Sequence, residues 1–323
     1  KITIDLPDVR EREAILKIHS RNKKIDPTVN YKHFAQRIPG FSGADIENLL
    51  NEATLLAARS NRKVVSEKDL DEAMDRVRMG PAKKSRKYND HVKRVVAYHE
   101  AGHAVIGLKL EHANVVQKVT IIPRGQAGGY NLMMPAEETF LETKDSLLHT
   151  ITGYLGGRVA EEIEFNSITT GAYNDFEMAT KIARAMVTEY GMSDLGPVQY
   201  ESRGQNVFLG RDYFNEKNFS DQVAHEIDNE VRKIINECME LARTIIKENK
   251  VLLDTIAEYL IKVETLNKSD IDEIVETGKL AWADKEVSTE EVKVENKEEN
   301  IETTLEEDNK DENWFIFKNF SIN

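Results

Sequence analysis

The chain has 323 residues, of which 40% are hydrophobic, and its formal net charge is −13. This length allows two domains and a tail, and the acidic balance argues against nucleic acid as the main partner. Because Cys238 is the only cysteine, the chain can form neither an internal disulfide nor a zinc site made of cysteines. No apolar run approaches the ~18 residues that a membrane helix needs.

The first eighty residues have the pattern of a small helical bundle. Helical spacing of apolar residues predicts helices over residues 9–20, over residues 42–61 and after Ser66, where Asp69 completes a capping box. Gly80-Pro81 and the basic residues that follow predict a domain boundary, with residues 80–88 as a solvated linker. Because Lys1 stands in place of an initiator methionine and no signal peptide is visible, we expect a piece of a longer protein.

The next helix, predicted over residues 89–111, carries His99-Glu100-Ala-Gly-His103. The two histidines lie one turn apart on the same face, so both imidazoles can reach one metal ion. They fall on an apolar stripe from Val92 to Leu110, so we expect them to be buried, where imidazoles need polar partners. Glu100 can reach water at the metal without binding the metal itself. The alternative interpretation is two ordinary histidines near a surface glutamate.

Two short strands and five further helices are predicted after the histidine helix. The strands cover residues 118–123 and 129–133 and are joined by a glycine-bearing loop. The helices cover residues 143–163, 174–190, 220–247, 251–263 and 269–277. Between residues 285 and 312 twelve acidic residues stand against four basic ones, which predicts a disordered acidic tail over residues 281–323.

The identity of a third metal ligand is left open by spacing alone. A catalytic zinc ion takes three protein ligands and keeps one position open, and the acidic candidates are Glu161, Glu162 and Asp175. The two glutamates follow Gly153, Gly156 and Gly157, which would weaken their helix unless another helix packs closely there. Asp175 begins the next helix, where the helix dipole favours a carboxylate. Core or surface roles suit the isolated His112, His149 and His225 better.

Seven separate motifs occur between residues 1 and 280. They run from Leu6 to Leu16, Gly40 to Ala53, Tyr98 to Ala104, Lys118 to Gly125, Gly156 to Glu162, Thr169 to Asp175 and Val207 to Arg211. Together they closely resemble the FtsH family of membrane-anchored, ATP-dependent zinc proteases. Because the motifs are many and independent, the resemblance is highly specific.

The resemblance implies a mainly α-helical chain. A helical lid at the end of an AAA ATPase module would cover residues 1–79, and a mostly helical zinc-peptidase domain with a short β-hairpin would cover residues 89–280. One Zn²⁺ per chain is then implied on His99, His103 and Asp175, with Glu161 directly behind the ligands and Glu100 as the catalytic base.

The resemblance also implies partners for this chain. The sequence contains no Gly-x-x-x-x-Gly-Lys-Ser/Thr loop, so ATP and Mg²⁺ are expected only in the full-length protein, with His19, Gly43 and Ala44 beside the adenine and ribose. Polypeptide substrates, a homo-hexamer and a membrane anchor in an upstream part are implied. This part would face the cytoplasm from a bacterial inner membrane, or the matrix or stroma in an organelle.

Two other classes of function remain open at this stage. The chain could be a zinc-bound but inactive member of the family that acts as a chaperone or assembly module, against which the intact Glu100 argues. It could also be a helical interaction domain whose functional part is the remnant of the ATPase. A measurement of the metal content of purified protein distinguishes a helical interaction domain, which needs no zinc, from a zinc peptidase.

Overall fold

The computed structural model describes five stretches of the chain, namely residues 5–83, 88–125, 127–135, 141–201 and 219–284. Three features predicted from the sequence lie wholly or partly outside these stretches: the basic linker, the motif from Val207 to Arg211 and the acidic tail. The chain divides into two compact units between Ser269 and Asp270.

The larger unit begins with four helices, α1 (Val9–Ser20), α2 (Tyr31–Gln36), α3 (Gly43–Arg59) and α4 (Glu67–Met79). Side chains at the helix starts satisfy free backbone N–H groups. At α4 the predicted capping box forms, and the N–H of Ser66 donates to the Asp69 carboxylate at 2.8 Å. Helix α2 was not predicted, because six residues are too few to show helical periodicity.

Helix α5 (Asp90–Lys109) leads into a small antiparallel sheet. Its strands are β1 (Val115–Thr120), β2 (Tyr130–Met134) and β3 (Thr265–Asn267), in the order β2-β1-β3. The predicted hairpin is therefore present, although β1 begins at Val115 rather than at residue 118. The three-residue β3 was not predicted, because it is too short to show alternation.

The first four helices and strand β2 share one hydrophobic core. Leu16, Leu50 and Met74 lie in one buried cluster with Leu132 and Met134 of β2. Two ion pairs connect α4 with strand β1 and the loop that follows it: Lys118 Nζ lies 2.6 Å from Asp75 Oδ2, and an Arg124 guanidinium nitrogen lies 2.5 Å from Glu72 Oε2. The domain boundary at residues 80–88 stays a prediction, and the elements on its two sides are packed together.

Three of the remaining helices of the larger unit form a second core. The remaining elements are α6 (Lys144–Phe165), a 3₁₀ turn (Thr170–Ala172), α7 (Tyr173–Thr188), α8 (Asp221–Glu248) and α9 (Lys250–Val263). Buried side chains from α6, α7 and α8 meet in one cluster that includes Ile151, Leu155, Ala183, Met186, Ile227 and Ile234. Burial of these apolar faces is what stabilises the three helices against one another.

The smaller unit contains most of α10 (Lys268–Thr277) and is described to residue 284. The indole N–H of Trp282 donates to Asp270 Oδ1 at 3.1 Å, and the backbone N–H of Ala281 donates to Glu273 Oε1 at 2.9 Å. These bonds hold the segment that follows α10 against the same helix.

The predicted fold class is confirmed. The described chain is mainly α-helical, with a helical bundle followed by a mostly helical part that contains the hairpin. The apolar stripe of α5 is buried around the two histidines, but Val92 near its start is 37% exposed. Within the described residues, no helix combines the length and the apolar character that crossing a bilayer requires.

Candidate metal centre

Helices α5 and α6 meet backbone to backbone at two glycines. A Cβ on Gly102 would lie 2.5 Å from the carbonyl oxygen of Gly156, and a Cβ on Gly156 would lie 2.8 Å from the carbonyl oxygen of Gly102. Only glycine fits at such distances. The prediction that another helix packs closely against these glycines is confirmed at Gly156 and at Gly157, where a Cβ would meet the ring of His103 at 2.6 Å. It is wrong at Gly153, where a Cβ would meet nothing within 4 Å.

Side chains of His99, His103 and Asp175 converge on one point. The Nε2 atoms of the two histidines lie 3.1 Å apart, and Asp175 Oδ2 lies 3.3 Å from His99 Nε2 and 3.6 Å from His103 Nε2. Tetrahedral zinc with bonds of about 2.0–2.1 Å holds its ligand atoms about 3.3 Å apart. Two imidazoles and one carboxylate at this spacing therefore fit a zinc ion.

Each imidazole is oriented through its second ring nitrogen. His103 Nδ1 lies 2.8 Å from the carbonyl oxygen of Gly153, and because a carbonyl only accepts, this nitrogen carries the proton. His99 Nδ1 lies 2.7 Å from Glu161 Oε1. Both rings therefore turn Nε2 toward Asp175, which is how metal-binding histidines are usually held.

A loop threonine connects Glu161 with the helix that carries Asp175. Thr169 donates its backbone N–H to Glu161 Oε2 at 2.9 Å and its hydroxyl to Glu161 Oε1 at 3.1 Å. The same hydroxyl accepts from the Gly171 N–H at 3.1 Å, at the turn that precedes α7. Asp175 lies in the first turn of α7, where the helix dipole favours its negative charge.

The side chain of Glu100 extends from the histidine helix, α5, to strand β2. Its side chain is buried, and Asn131 Nδ2 donates to its Oε2 at 2.7 Å and to its main-chain oxygen at 3.0 Å. Burial raises the pKa of Glu100, whereas the charges of His99 and His103 and the Asn131 bond oppose that rise. The carboxyl group is therefore better able to hold a proton than an exposed glutamate.

The ionisable side chains of the cluster shift one another's pKa values. Burial by itself lowers the pKa of His99, but bonds to Asp175 and Glu161 outweigh it and raise this pKa to about 10. Burial by itself raises the pKa of Asp175 and of Glu161, but the histidine bonds outweigh it and hold both below their usual range. A metal ion that binds His99 therefore competes with a tightly held proton.

Other acidic and histidine candidates lie apart from this cluster. Glu162 Oε2 pairs with an Arg243 guanidinium nitrogen at 3.1 Å, His112 and His149 stack with ring centroids 5.4 Å apart, and His225 is exposed on α8. In the stretches that the structure describes, the group whose ligand atoms could share a metal is His99, His103 and Asp175.

The predicted nucleotide contacts lie near one another on the first helices. His19, near the end of α1, has its Nδ1 4.0 Å from Glu47 Oε1 on α3. Gly43 and Ala44 open α3 directly after its N-cap, Ser42. Their role toward a nucleotide stays a prediction.

Sequence reasoning assigned no role at this site to Asn131 or Thr169, and it gave Gly157 only a packing role. Thr169 is separated from Glu161 by a loop, so no helical spacing joins the two residues. Asn131 is the one strongly polar residue of the strand Tyr130-Asn-Leu-Met-Met134, and an asparagine is unusual in such a strand. That departure from strand composition is the signal that could have found it.

Two protein families match parts of this chain. Peptidase family M41 matches residues 86–274, which include both histidines, Glu100, Glu161 and Asp175. The AAA+ lid domain matches residues 28–72, which include α2 and α3.

Proteins with similar sequences carry the name ATP-dependent zinc metalloprotease FtsH. The one from Acholeplasma laidlawii is 67% identical over 284 residues, which are 88% of this chain and 44% of the relative. The one from Bacillus subtilis is 58% identical over 282 residues, which are 87% of this chain and 44% of the relative. The chain thus spans less than half the length of these relatives, and the resemblance predicted from its motifs is confirmed.

Proposed function

This chain belongs to peptidase family M41, and we propose that it is a zinc-dependent endopeptidase whose metal is held by His99, His103 and Asp175. The observation that carries the proposal is the convergence of these three ligand atoms, 3.1–3.6 Å apart, beside the buried Glu100. Three protein ligands leave one position of a four-coordinate zinc ion open, which a catalytic site requires. The names of the relatives agree with this activity.

The chemistry follows from what each side chain contributes. A bound zinc ion would supply an activated water and polarise the scissile carbonyl. Glu100 accepts the proton from the attacking water and returns it to the leaving amine. The raised pKa of Glu100 suits this exchange, since the carboxyl group both takes and gives a proton. Glu161 and the Gly153 carbonyl hold the histidines in the metal-binding tautomer.

Strand β2 is the proposed docking edge for an extended substrate. It is one of the two edge strands of the described sheet, and its Asn131 contacts Glu100. A peptide that adds to this strand would therefore pass beside the catalytic base. Strand addition uses backbone hydrogen bonds, so it tolerates many sequences, as degradation of varied proteins requires.

For the whole protein we propose an ATP-driven protease. The relatives are named ATP-dependent, and the lid matched at residues 28–72 is the ATPase element found in this chain. His19, Gly43 and Ala44 would then lie beside the base and sugar of ATP, with Mg²⁺ bound elsewhere in the whole protein. We place this part on the cytoplasmic side of a bacterial membrane (or in the matrix or stroma of an organelle) and expect polypeptide substrates rather than nucleic acid.

Metal analysis combined with casein cleavage tests the peptidase assignment. Purified protein should bind about one zinc ion per chain, cleave unfolded casein, lose activity to a chelator and regain it with added zinc. Zinc-loaded Glu100→Gln protein is the control for contaminating proteases. Zinc binding without cleavage of either casein or a short peptide would favour an inactive assembly module, and absence of zinc binding would favour a helical interaction domain. Either result would overturn the proposal.

A six-membered ring is proposed for the assembly, with the peptidase sites enclosed below an ATPase ring. Light scattering on this chain should detect a hexamer or a mass that rises toward one with concentration. Only monomer at tens of micromolar would contradict the proposal for this chain.

A further inference from the structure

We propose that Asn131 is a positioning residue that holds the base Glu100 in one conformation, an inference that rests on the proposed peptidase function. The Asn131 amide bridges two parts of Glu100, since Nδ2 lies 2.7 Å from Oε2 and 3.0 Å from the main-chain oxygen. A carboxylate and a carbonyl only accept hydrogen bonds, so the nitrogen end of the amide faces Glu100. One donor group thereby ties the end of the Glu100 side chain to its own backbone.

The backbone at Gly129 also encloses Glu100. A Cβ on Gly129 would lie 2.8 Å from Glu100 Oε1 and 2.9 Å from Glu100 Cγ. Asn131 is itself fixed within the sheet, because it pairs with Val119 of β1. The carboxylate therefore has Gly129 against one oxygen and the Asn131 amide against the other.

The oxygen of the Asn131 amide indicates that the side chain positions Glu100 rather than stabilises the sheet. This oxygen, Oδ1, is buried and has no hydrogen-bond partner among the described residues. An unpaired buried carbonyl oxygen destabilises a fold, so an asparagine that served the sheet would be expected to bond through both ends. Among the described residues the Asn131 side chain bonds to Glu100 alone, and an asparagine is unfavourable for the strand that carries it.

The consequence for catalysis concerns geometry. A general base acts only within hydrogen-bonding reach of the proton, and a displacement of about 1 Å can lower the rate about 100-fold. Without the Asn131 amide, Glu100 keeps its burial and its neighbouring charges but gains freedom to rotate. The turnover number should therefore fall, whereas zinc binding and substrate affinity should not.

Replacement by a residue of similar shape tests the proposal in the 323-residue chain. Zinc-loaded Asn131→Leu should lose about tenfold or more in kcat, with KM changed by less than about twofold. Its zinc content should equal that of the native protein, and it should stay folded at the assay temperature, because the donor lost to Glu100 is partly offset by removal of the unpaired Asn131 oxygen. Asn131→Gln keeps the amide on a longer side chain and should restore part of kcat.

A structural readout accompanies the kinetics. Crystal structures of the zinc-loaded proteins should contain one Glu100 conformer in the native protein and several, or a different one, in Asn131→Leu. Val116→Ala, on the neighbouring strand β1 and packed near Gly107 of α5, is the matched control and should keep the native kcat.

Native kcat in Asn131→Leu would overturn the proposal, and so would loss of zinc together with kcat. Failure of the proposed function gives a different result. The zinc-loaded native protein would then cleave no peptide, whereas the Glu100 conformers in the two crystal structures would still decide whether Asn131 positions this side chain.

Discussion

A Cβ atom on Gly157 would lie 2.6 Å from Nε2 of His103, so the space of the missing side chain is occupied by the imidazole. The same Cβ would lie 2.6 Å from Cε1 of His99. Glycine inside a helix destabilises it by roughly 0.5–1 kcal/mol relative to alanine. At this position the absence of a side chain leaves room for both proposed metal ligands, at the cost of some helix stability.

Gly157→Ala should therefore displace both imidazoles and weaken zinc binding by at least tenfold, while the helices stay folded. The backbone of α6 is held in place, because its Ile151 and Leu155 are buried against α7 and α8. Zinc affinity measured by competition with a chelator checks this expectation, and circular dichroism checks the fold.

Gly153→Ala is the matched control on the same helix. A Cβ there meets nothing within 4 Å, so the substitution should keep zinc affinity and raise stability by about 0.5–1 kcal/mol. Equal zinc affinities for the two variants would contradict the packing argument.

Glu100→Gln should keep zinc and lose peptide cleavage by several orders of magnitude. Glutamine preserves the shape of the side chain and can still meet Asn131, but it cannot accept a proton. Zinc content and the cleavage rate of a fluorogenic peptide are measured on the same sample. Near-native cleavage by the zinc-loaded variant would exclude Glu100 as the base.

Asp175→Asn should weaken zinc binding far more than Glu161→Gln. Asp175 supplies an oxygen at the point where both Nε2 atoms converge, whereas Glu161 contacts only Nδ1 of His99. Loss of a partner behind a ligand typically lowers metal affinity 10–100-fold. Isothermal titration with zinc ranks the two variants, and the reverse order would mean that Glu161 is the third ligand.

Much of the fold was predictable because local patterns agree with the tertiary structure. Predicted helix 9–20 matches α1, and Ser66 with Asp69 forms the predicted capping box at the start of α4. Helix α2 and strand β3 were missed, because both are too short for periodicity to appear. Their places depend on neighbours distant in the chain.

The site was predictable where its residues are close in sequence. His99 and His103 share one helix face, and their spacing alone predicted that they bind one metal ion. Asp175 remained one of three candidates for the third metal ligand until the family resemblance was considered. The loop before α7 determines where Asp175 lies, and residue spacing does not predict the path of a loop. Asn131 reaches Glu100 only through the pairing of β2 in the sheet, which no local pattern encodes.

The stability of the metal-stripped protein should fall between about pH 6.5 and pH 10. The pKa of His99 is raised to about 10 in the fold, so its stabilising proton is fully present below the unfolded value of about 6.5 and is lost as pH rises through 10. One such proton accounts for at most about 1.4 kcal/mol per pH unit. The lowered pKa values of Asp175 and Glu161 act at the acid end, where stability falls as pH drops below about 4.

Urea unfolding with a chelator present, at pH 6, 8 and 9.5, measures this decline. His99→Gln removes the titrating group and should flatten it, and zinc loading should do the same because the metal replaces the proton. A decline of the same slope in His99→Gln would assign the alkaline loss of stability to other groups.

This chain should cleave unfolded polypeptides but neither hydrolyse ATP nor degrade a stably folded protein. Peptide hydrolysis is energetically downhill and requires only the metal centre and Glu100. Unfolding a substrate with about 5–15 kcal/mol of stability requires a motor, or else waits for spontaneous opening. The 323 residues contain no Gly-x-x-x-x-Gly-Lys-Ser/Thr loop, so His19, Gly43 and Ala44 would meet a nucleotide whose phosphates have no such loop to hold them.

One assay with two substrates tests this expectation. Unfolded casein and a stable folded protein with a degradation tag are each incubated with the zinc-loaded protein, with and without ATP. Casein should be cleaved at the same rate in both conditions, and the folded protein should persist in both. ATP-stimulated loss of the folded protein would mean that these residues hold a working motor. Resistance of casein in a zinc-loaded hexamer would mean that enclosed sites need the motor even for unfolded chains, since diffusion into the chamber would then limit cleavage.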